Sequence, residues 1–310
     1  MYLMMNPANQ FRIVQITDIH LNHYPFDEND QIILTDIKQA LEMLKPDLIM
    51  LTGDYVNTYQ NEQEELIFRN FFAFLNQFHA PKAITYGHHD SERYLDRVDI
   101  EKIFNEIVVN KVKREHEEWI EGLSQYAVMI KGDKGLSNVL YVMDSGRTAP
   151  GLERTNDWIL PKQVEWFRKV SQRYADMKYN LVFMHSPLPE YDQARVNILA
   201  GELREPNQCI SFSRINTGLF SEFFFSEQID SVYCGHNHLN NAEMMWEGIR
   251  LVYGMFCGRD EKTGDFRGVR YIDIDGATGA VMTDFKYFYE FKKVTTNIKC
   301  HDCHFVSFGP

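Results

Sequence analysis

The sequence predicts an α/β fold in which two facing sheets carry helices on their outer sides. Three observations predict it. From Phe11 to about Val109, short apolar runs alternate with stretches of helical periodicity, the pattern of a largely parallel sheet flanked by helices. The second half is richer in strand-like runs than the first. Between the halves there is no Pro/Gly/Ser-rich linker, no internal repeat and no low-complexity tract, so one domain spanning 1–310 is expected.

The elements follow in order. Phe11 to Thr17 reads as a strand. Asp30 to Leu44 reads as a helix with Ile33, Ile37, Ala40, Leu41 and Leu44 on one face. Leu48 to Leu51 is a buried strand. Glu62 to Phe78 is a helix whose core side is Leu66, Phe71, Phe74, Leu75 and Phe78. Lys82 to Tyr86 is a third strand, followed by a helix near Val98 to Val109. Tyr126 to Ile130 and Asn138 to Met143 flank a Gly-rich turn and form a hairpin. Pro161 opens a helix carrying Val164, Phe167 and Val170, a position where proline is tolerated. Strands follow at Leu181 to Met184, Ser231 to Cys234, Ile249 to Tyr253, Val269 to Asp275 and Val281 to Tyr289.

Composition bounds the function. The 310 residues are 44% hydrophobic and 25% charged, ordinary for a globular enzyme. A formal net charge of -12 gives no general attraction to nucleic acid or an anionic membrane, so a phosphate-bearing ligand needs a local positive site. Met1 to Gln10 lacks a basic segment followed by an apolar run, and no stretch approaches the length of a membrane span. The five cysteines are odd in number and mostly scattered, against a disulfide framework. The expected compartment is the cytoplasm.

The chemistry gathers at strand ends. The first strand is followed by Asp18-Ile-His20, the second by Gly53-Asp54, the third by Gly87-His88-His89-Asp90. Later strands end in His185 and in Gly235-His236-Asn237-His238. Ligands of open α/β sheets bind at the carboxyl ends of strands. Five strand ends thus bring carboxylates and imidazoles to one rim, a donor set suited to Mn, Fe, Zn or Ni. Any one of these pieces is weak evidence, since a lone His after a strand is usually a surface or core hydrogen-bonding group. All five in order are specific.

These five blocks resemble those of the calcineurin-like metallophosphoesterases, over about Phe11 to Asp275. Asp144-Ser145-Gly146, Asp157-Trp158-Ile159, the run from Pro161 to Trp166, His185 to Tyr191, Asn216 to Phe220 and Tyr253 to Arg270 look like the purple-acid-phosphatase-like branch of plants and fungi. The resemblance implies a four-layer αββα sandwich of two mixed sheets flanked by helices. It also implies hydrolysis of a phosphomonoester, small or protein-borne, by attack of a metal-bridging hydroxide. Two metals side by side acidify water and neutralise phosphate oxygens. Carried over by position, one metal takes Asp18, His20, Asp54 and His238, and the other takes Asp54, His88, His185 and His236. His89 becomes the acid beside the leaving oxygen, and Asp90 orients His89 or stabilises its charged form. A phosphodiesterase, perhaps for cyclic nucleotides, uses the same metal core, and a non-catalytic scaffold of the same fold is the remaining alternative.

The chain departs from the family at three places. The family has Asn where this chain has His88, a bulkier and softer ligand. The metal-bound Tyr of coloured purple acid phosphatases corresponds to Asn57, with Tyr55 and Tyr59 out of register, so no tyrosinate charge-transfer band is expected. Asn237 stands where this branch usually has Asp. Outside the motifs, Tyr191, Glu202, Asn216 and Arg259 are candidates to shape the pocket, with loop hydrogen bonding as the equal alternative. His23 and Tyr24 are candidates for its rim. His79 and His116 read as surface residues in helical contexts. The tail from about 290 to 310 lies outside the family pattern. Its Cys300-His301-Asp302-Cys303-His304 imitates a zinc cluster, but a structural zinc site usually needs two separated ligand pairs.

Overall fold

The computed structural model describes residues 3–59, 61–147 and 157–292. Its elements in chain order are β1 (Leu3–Met4), β2 (Gln10–Ile16), α1 (Glu28–Leu44), β3 (Leu48–Thr52), α2 (Glu64–Leu75), β4 (Lys82–Thr85) and α3 (Arg97–Ile107). Then come β5 (Glu115–Ile120), β6 (Leu123–Gly132), β7 (Gly135–Met143), α4 (Pro161–Ser171), β8 (Asn180–Phe183), α5 (Glu190–Ala194) and β9 (Ile198–Ala200). The last are α6 (Leu219–Ser226), β10 (Ile229–Cys234), β11 (Glu243–Trp246), β12 (Ile249–Tyr253), β13 (Gly268–Asp275) and β14 (Val281–Tyr287).

Two mixed sheets form. One has five strands in the order β14-β13-β2-β3-β4, with β2, β3 and β4 parallel and β13 antiparallel to β2. The other has nine, in the order β1-β6-β7-β8-β10-β12-β11-β9 with β5 beside β6; β7, β8, β10 and β12 run parallel.

Strand alternation decides how these sheets stack. In β2 and β3, Ile13, Leu48 and Met50 join a central cluster, while Val14, Ile16, Ile49 and Leu51 join an outer one with Ile33, Phe71 and Ile100 of the first three helices. In β7 and β8, Leu140, Val142, Leu181 and Phe183 join the same central cluster, while Val139, Tyr141 and Val182, with Met184 just past β8, join Phe167, Tyr191 and Phe223 of α4, α5 and α6. The sheets therefore pack face to face with helices outside each: four layers, α-β-β-α, as the resemblance implies.

Helix α1 buries the face its periodicity predicts, and Asp27 caps it by accepting from Asp30 N at 2.8 Å. Helix α2 differs. It runs only from Glu64 to Leu75 and buries Ile67, Phe68, Phe71, Phe72 and Leu75, leaving Leu66 40% exposed and Phe78 beyond its end. Two apolar arcs lie side by side in this helix, and the packed core takes the one that carries Ile67, Phe68 and Phe72. His116 lies in strand β5, not a helix, with Nε2 2.8 Å from the Tyr174 hydroxyl. His79 follows α2 in a loop. Strands β5, β9 and β11 and helices α5 and α6 were not expected from the sequence. No helix among the described residues is long and apolar enough to cross a membrane.

Candidate metal centre

The carboxyl ends of β2, β3, β4, β8 and β10 meet at one rim of the sandwich, and each is followed by candidate ligands. Two groups form there. Asp54, His88, His185 and His236 make one, and Asp18, His20 and His238 the other, with the ligand atoms of each group within 4.8 Å of one another.

The loops that carry these side chains have unusual backbones. Asp18, His20, Asp54 and His236 all have positive φ, at 53°, 52°, 54° and 74°. For residues other than glycine such a conformation costs on the order of 1–3 kcal/mol and persists only where surroundings enforce it. Here the loops are stitched to one another. Asp18 N donates to Gly53 O at 3.0 Å, Ile19 N to Asp54 O at 2.8 Å, and Gly235 N to His185 O at 2.9 Å. The second and third loops touch so closely that a Cβ on Gly53 would collide with Gly87 N, and one on Gly87 would collide with Asp54 Oδ1. Glycine is required at both places.

Asp90 completes this stitching. Its carboxylate accepts from Asp54 N and Gly87 N at 2.8 Å each and from Tyr55 N at 2.7 Å. The orienting role expected of Asp90 toward His89 therefore does not match its position. A 3-10 turn over His88–Ser91 aims Asp90 inward at the backbone, and the carboxylate beside the His89 ring is Glu92, whose Oε2 lies 2.8 Å from Nδ1. Burial and the neighbouring Asp54 push the Asp90 carboxyl up to about 7.

Asp54 sits at the centre. Its Oδ1 accepts from His89 N at 2.9 Å. Its Oδ2 is buried with no hydrogen-bond partner, yet His185 Nε2 lies 3.1 Å away, His88 Nδ1 3.2 Å and His20 Nε2 3.8 Å. His185 Nδ1 is 2.9 Å from the Thr52 carbonyl, which can only accept, so Nδ1 carries a proton and Nε2 is the nitrogen turned toward Asp54. On the other side His20 Nε2 and His238 Nε2 are 3.1 Å apart, and His238 Nε2 is 3.6 Å from Asp18 Oδ1. The His238 ring stacks on Phe256 at 4.2 Å.

The electrostatics fit cations. Burial lowers His20 and His236 to about 3, so they stand as neutral lone-pair donors. Burial also works against charge on His185 and His238, but Asp54 beside the first and Asp18 beside the second raise them to about 9 and about 10. Burial would raise Asp54, yet His185 and His88 hold its carboxyl well below the usual range. Two buried carboxylates thus draw positive charge into a space walled by imidazole. A buried carboxylate oxygen without a hydrogen-bond partner, faced by imidazole nitrogens, is the arrangement a bridging metal ligand requires. The residues present fit a pair of metal ions.

Other candidates have plainer surroundings. Tyr191 is fully buried with its hydroxyl on Val232 O at 2.8 Å, and Arg259 donates to Asn29 on the surface. Glu202 is exposed, and its N–H donates to Asn241 Oδ1. Asn216 donates to Glu190 and lines a cleft with Ser145, Trp158 and Ser186, next to His185. His23, Tyr24 and Asn57 line a polar recess with Asn22 and Asn61 beside the first two ligand loops. Tyr55 is buried with its hydroxyl between Gly53 N and Thr85 O, and Tyr59 is exposed. Cys300 to His304 lie outside the described residues.

Two positions went unnoticed in the sequence. Glu92 is three residues past His89, a signal readable only once that stretch is known to be helical. Arg97 is fully buried and binds Asp144 Oδ2, Gly87 O and Gly146 O at 2.8 Å each, under the third ligand loop. Its place at the start of α3 gave no hint of this.

Comparison with known proteins agrees with this geometry. A family model described as "Calcineurin-like phosphoesterase" matches residues 11–240. The chain is 27% identical over 323 residues to "Probable inactive purple acid phosphatase 29" of Arabidopsis thaliana, covering 88% of this chain and 80% of that one. It is 26% identical over 292 residues to "Phosphatase DCR2" of Saccharomyces cerevisiae, covering 82% of this chain and 46% of that one. The fold is similar to the crystal structure of a dimetal phosphatase from Danio rerio, with a TM-score of 0.57 over 90% of this chain and 99% of that one, at 10% identity.

Proposed function

The chain belongs to the calcineurin-like phosphoesterase family, and from that premise we propose that it is a two-metal phosphomonoesterase. The observation that carries this reading is Asp54 Oδ2, buried without a hydrogen bond and facing imidazole nitrogens from both ligand groups. In this reading Asp54 serves both ions, Asp18, His20 and His238 complete one position, and His88, His185 and His236 complete the other. Carboxylate and imidazole together suit Mn, Fe, Zn or Ni. A bound pair of such ions supplies Lewis acidity, acidifying water and neutralising phosphoryl oxygens.

The chain's own residues do the rest. Asp18 is held in place by Thr17 Oγ1 at 2.8 Å and by His236 N at 3.0 Å, so its carboxylate keeps one orientation. Asp90 ties the backbone of Asp54 to that of Gly87. His89 stands at the solvent side, 34% exposed, and Glu92 accepts its Nδ1 proton. That leaves Nε2 to give a proton to the departing alkoxide. Burial pulls the His89 pKa down, but the Glu92 hydrogen bond and Asp54 leave it raised, which favours the protonated form an acid needs.

The substrate is a phosphomonoester on a small molecule or a protein. The net charge of -12 argues against nucleic acid. The cytoplasm is the compartment we favour, in keeping with free thiols at Cys209, Cys234 and Cys257. The name of the Arabidopsis relative includes the word inactive; that is said of that protein. In this chain each ligand position carries a coordinating side chain, which favours catalysis over a scaffold.

Hydrolysis of a panel of phosphomonoesters and diesters by metal-loaded protein tests the reading. Monoesters should turn over faster. Faster diester cleavage would make the protein a phosphodiesterase, and no turnover with both ions bound would make it a scaffold.

A further inference from the structure

The alcohol of a phosphomonoester departs beside the acid that protonates it. With His89 as that acid, the space next to His89 decides which alcohols are accepted. The His89 ring lies 5.4 Å from that of His20, and the chain beyond His20 meets the chain beyond Asp54 close to both. Asn57 N donates to Leu21 O at 3.1 Å. The Thr58 hydroxyl, one residue on, donates to His89 O at 2.5 Å and accepts from Glu92 N at 3.0 Å. Between these stretches and the start of α2 opens a recess of about 570 Å³, lined by Asn22, His23, Tyr24, Asn57, Asn61 and the adjacent Glu62 and Gln63. A second cleft, beside His185, has Trp158, Pro187 and Leu188 in its walls and holds only about 20 Å³, room for about one water. A sizeable alcohol fits the recess and not the cleft.

The walls of the recess differ from those of an ordinary ligand pocket, which are mostly apolar. Four of its seven lining side chains are amides, and an amide both donates and accepts. None of the seven is aliphatic, and none is Lys or Arg. The recess therefore offers little to an apolar group and no cation to a second phosphate or a carboxylate. Part of the wall is held from behind. Asn22 Nδ2 donates to His20 O at 2.7 Å, Asn61 Nδ2 donates to Asn22 O, and Asn61 Oδ1 accepts from Gln63 N at 2.9 Å. His23 Nδ1 lies 3.0 Å from Asp27 Oδ2, and the Tyr24 ring packs against the outer core. Fixed amides beside one fixed ring suit a compact ligand with many hydroxyls, each of which donates and accepts. Asn57 is half-buried and adjoins Thr58, so of the four amides it is joined most directly to His89. We propose that this recess is the subsite for the substrate's alcohol, that the alcohol is a sugar or polyol, and that Asn57 helps to select it. This rests on the phosphomonoesterase reading above.

The test compares glucose 6-phosphate and glucitol 6-phosphate with cyclohexylmethyl phosphate on the full, metal-loaded chain. All three release a primary alkoxide, so the ratio of kcat/KM values reads recognition of the hydroxyls and not leaving-group chemistry. The better of the two hydroxylated esters should exceed the cyclohexylmethyl ester by about tenfold or more, because an analogue without hydroxyls leaves the amides unpaired. Asn57→Leu should cut that ratio by about three- to tenfold. Gln63→Leu should cut it as well; Gln63 is exposed and its side chain does not cap α2, so this variant carries the test if circular dichroism shows Asn57→Leu to be unfolded. A phosphoserine peptide should be hydrolysed less efficiently than the better hydroxylated ester. Equal or better kcat/KM for the cyclohexylmethyl ester or the peptide overturns the proposal and spares the phosphomonoesterase reading. So does a ratio that stays unchanged in the folded variant. No hydrolysis of any phosphomonoester overturns both.

Discussion

Replacing Arg97 with methionine keeps most of the side chain's apolar stem and removes its charge. The guanidinium is fully buried and holds Asp144 Oδ2, Gly87 O and Gly146 O at 2.8 Å each, with Ser91 Oγ as a fourth partner. Asp144 is as deeply buried as Arg97. Methionine would strand this carboxylate in the interior together with two unpaired carbonyls. Removing one partner of a buried ion pair costs about 3–5 kcal/mol, against a total stability of about 5–15 kcal/mol. Arg97→Met should therefore lose about a fifth or more of the protein's stability, read from urea unfolding followed by circular dichroism. Asp144→Asn in the Arg97→Met background removes the stranded charge, so the double variant should lose less than the sum of the singles, by about 1–3 kcal/mol. Burial already raises the Asp144 pKa despite Arg97, so the Arg97→Met loss should shrink toward acid pH as Asp144 takes up a proton. A loss below about 1 kcal/mol, or strict additivity in the double variant, would refute a structural ion pair beneath the third ligand loop.

Four further outcomes follow from the structure. Asp54→Ala should lower metal content further than His20→Ala, because Asp54 faces both ligand groups and His20 belongs to one; equal metal content in the two variants would remove Asp54 from its bridging role. His89→Ala should keep two ions but lower turnover by about 10²–10⁴-fold on esters with poor leaving groups, and less on nitrophenyl phosphate. Glu92→Gln should show the same leaving-group pattern with a smaller loss, and a uniform loss across leaving groups would contradict proton donation by His89. Lys82, buried and donating to Phe78 O, is pushed down to about 8 by burial, from 10.5. Between those values the unfolded chain binds a proton that the folded chain has released, so this residue's contribution to stability grows as pH rises from 8. Subtracting the Lys82→Met unfolding free energies from those of wild type should expose that rise, and a flat difference from pH 8 to 9.5 would contradict it.

Much of the site was legible because its ligands follow short apolar runs directly. Leu48 to Leu51 before Gly53-Asp54, and Leu181 to Met184 before His185, are strands by their own composition, and strand ends are where such sheets bind ligands. The layers were legible for the same reason, since β2, β3, β7 and β8 put alternate residues into different cores. Strand β5 escaped because its sequence, EHEEWI, is mostly polar. It is a strand through its pairing with β6, not through apolar alternation. The buried face of α2 was misjudged because Leu66 and Ile67 are both apolar and only the packed sheet distinguishes them. The role of Asp90 was hidden by the tight turn at His88–Ser91, which sends adjacent side chains to opposite tasks: His88 to the ligand group, His89 to the rim, Asp90 to the backbone beneath. Positive φ at four ligand residues falls on Asp and His, types that tolerate that region better than most, but residue type alone does not say which Asp or His adopts it.

Turnover of a chromogenic phosphomonoester by chelator-stripped protein, measured as metal is added back, tests the central claim most directly. The account predicts no hydrolysis by the stripped protein and a rise that saturates at two ions per chain, absent in Asp54→Ala at the same additions. Hydrolysis that persists without metal, or two ions bound per chain with no turnover of any phosphomonoester, would contradict it.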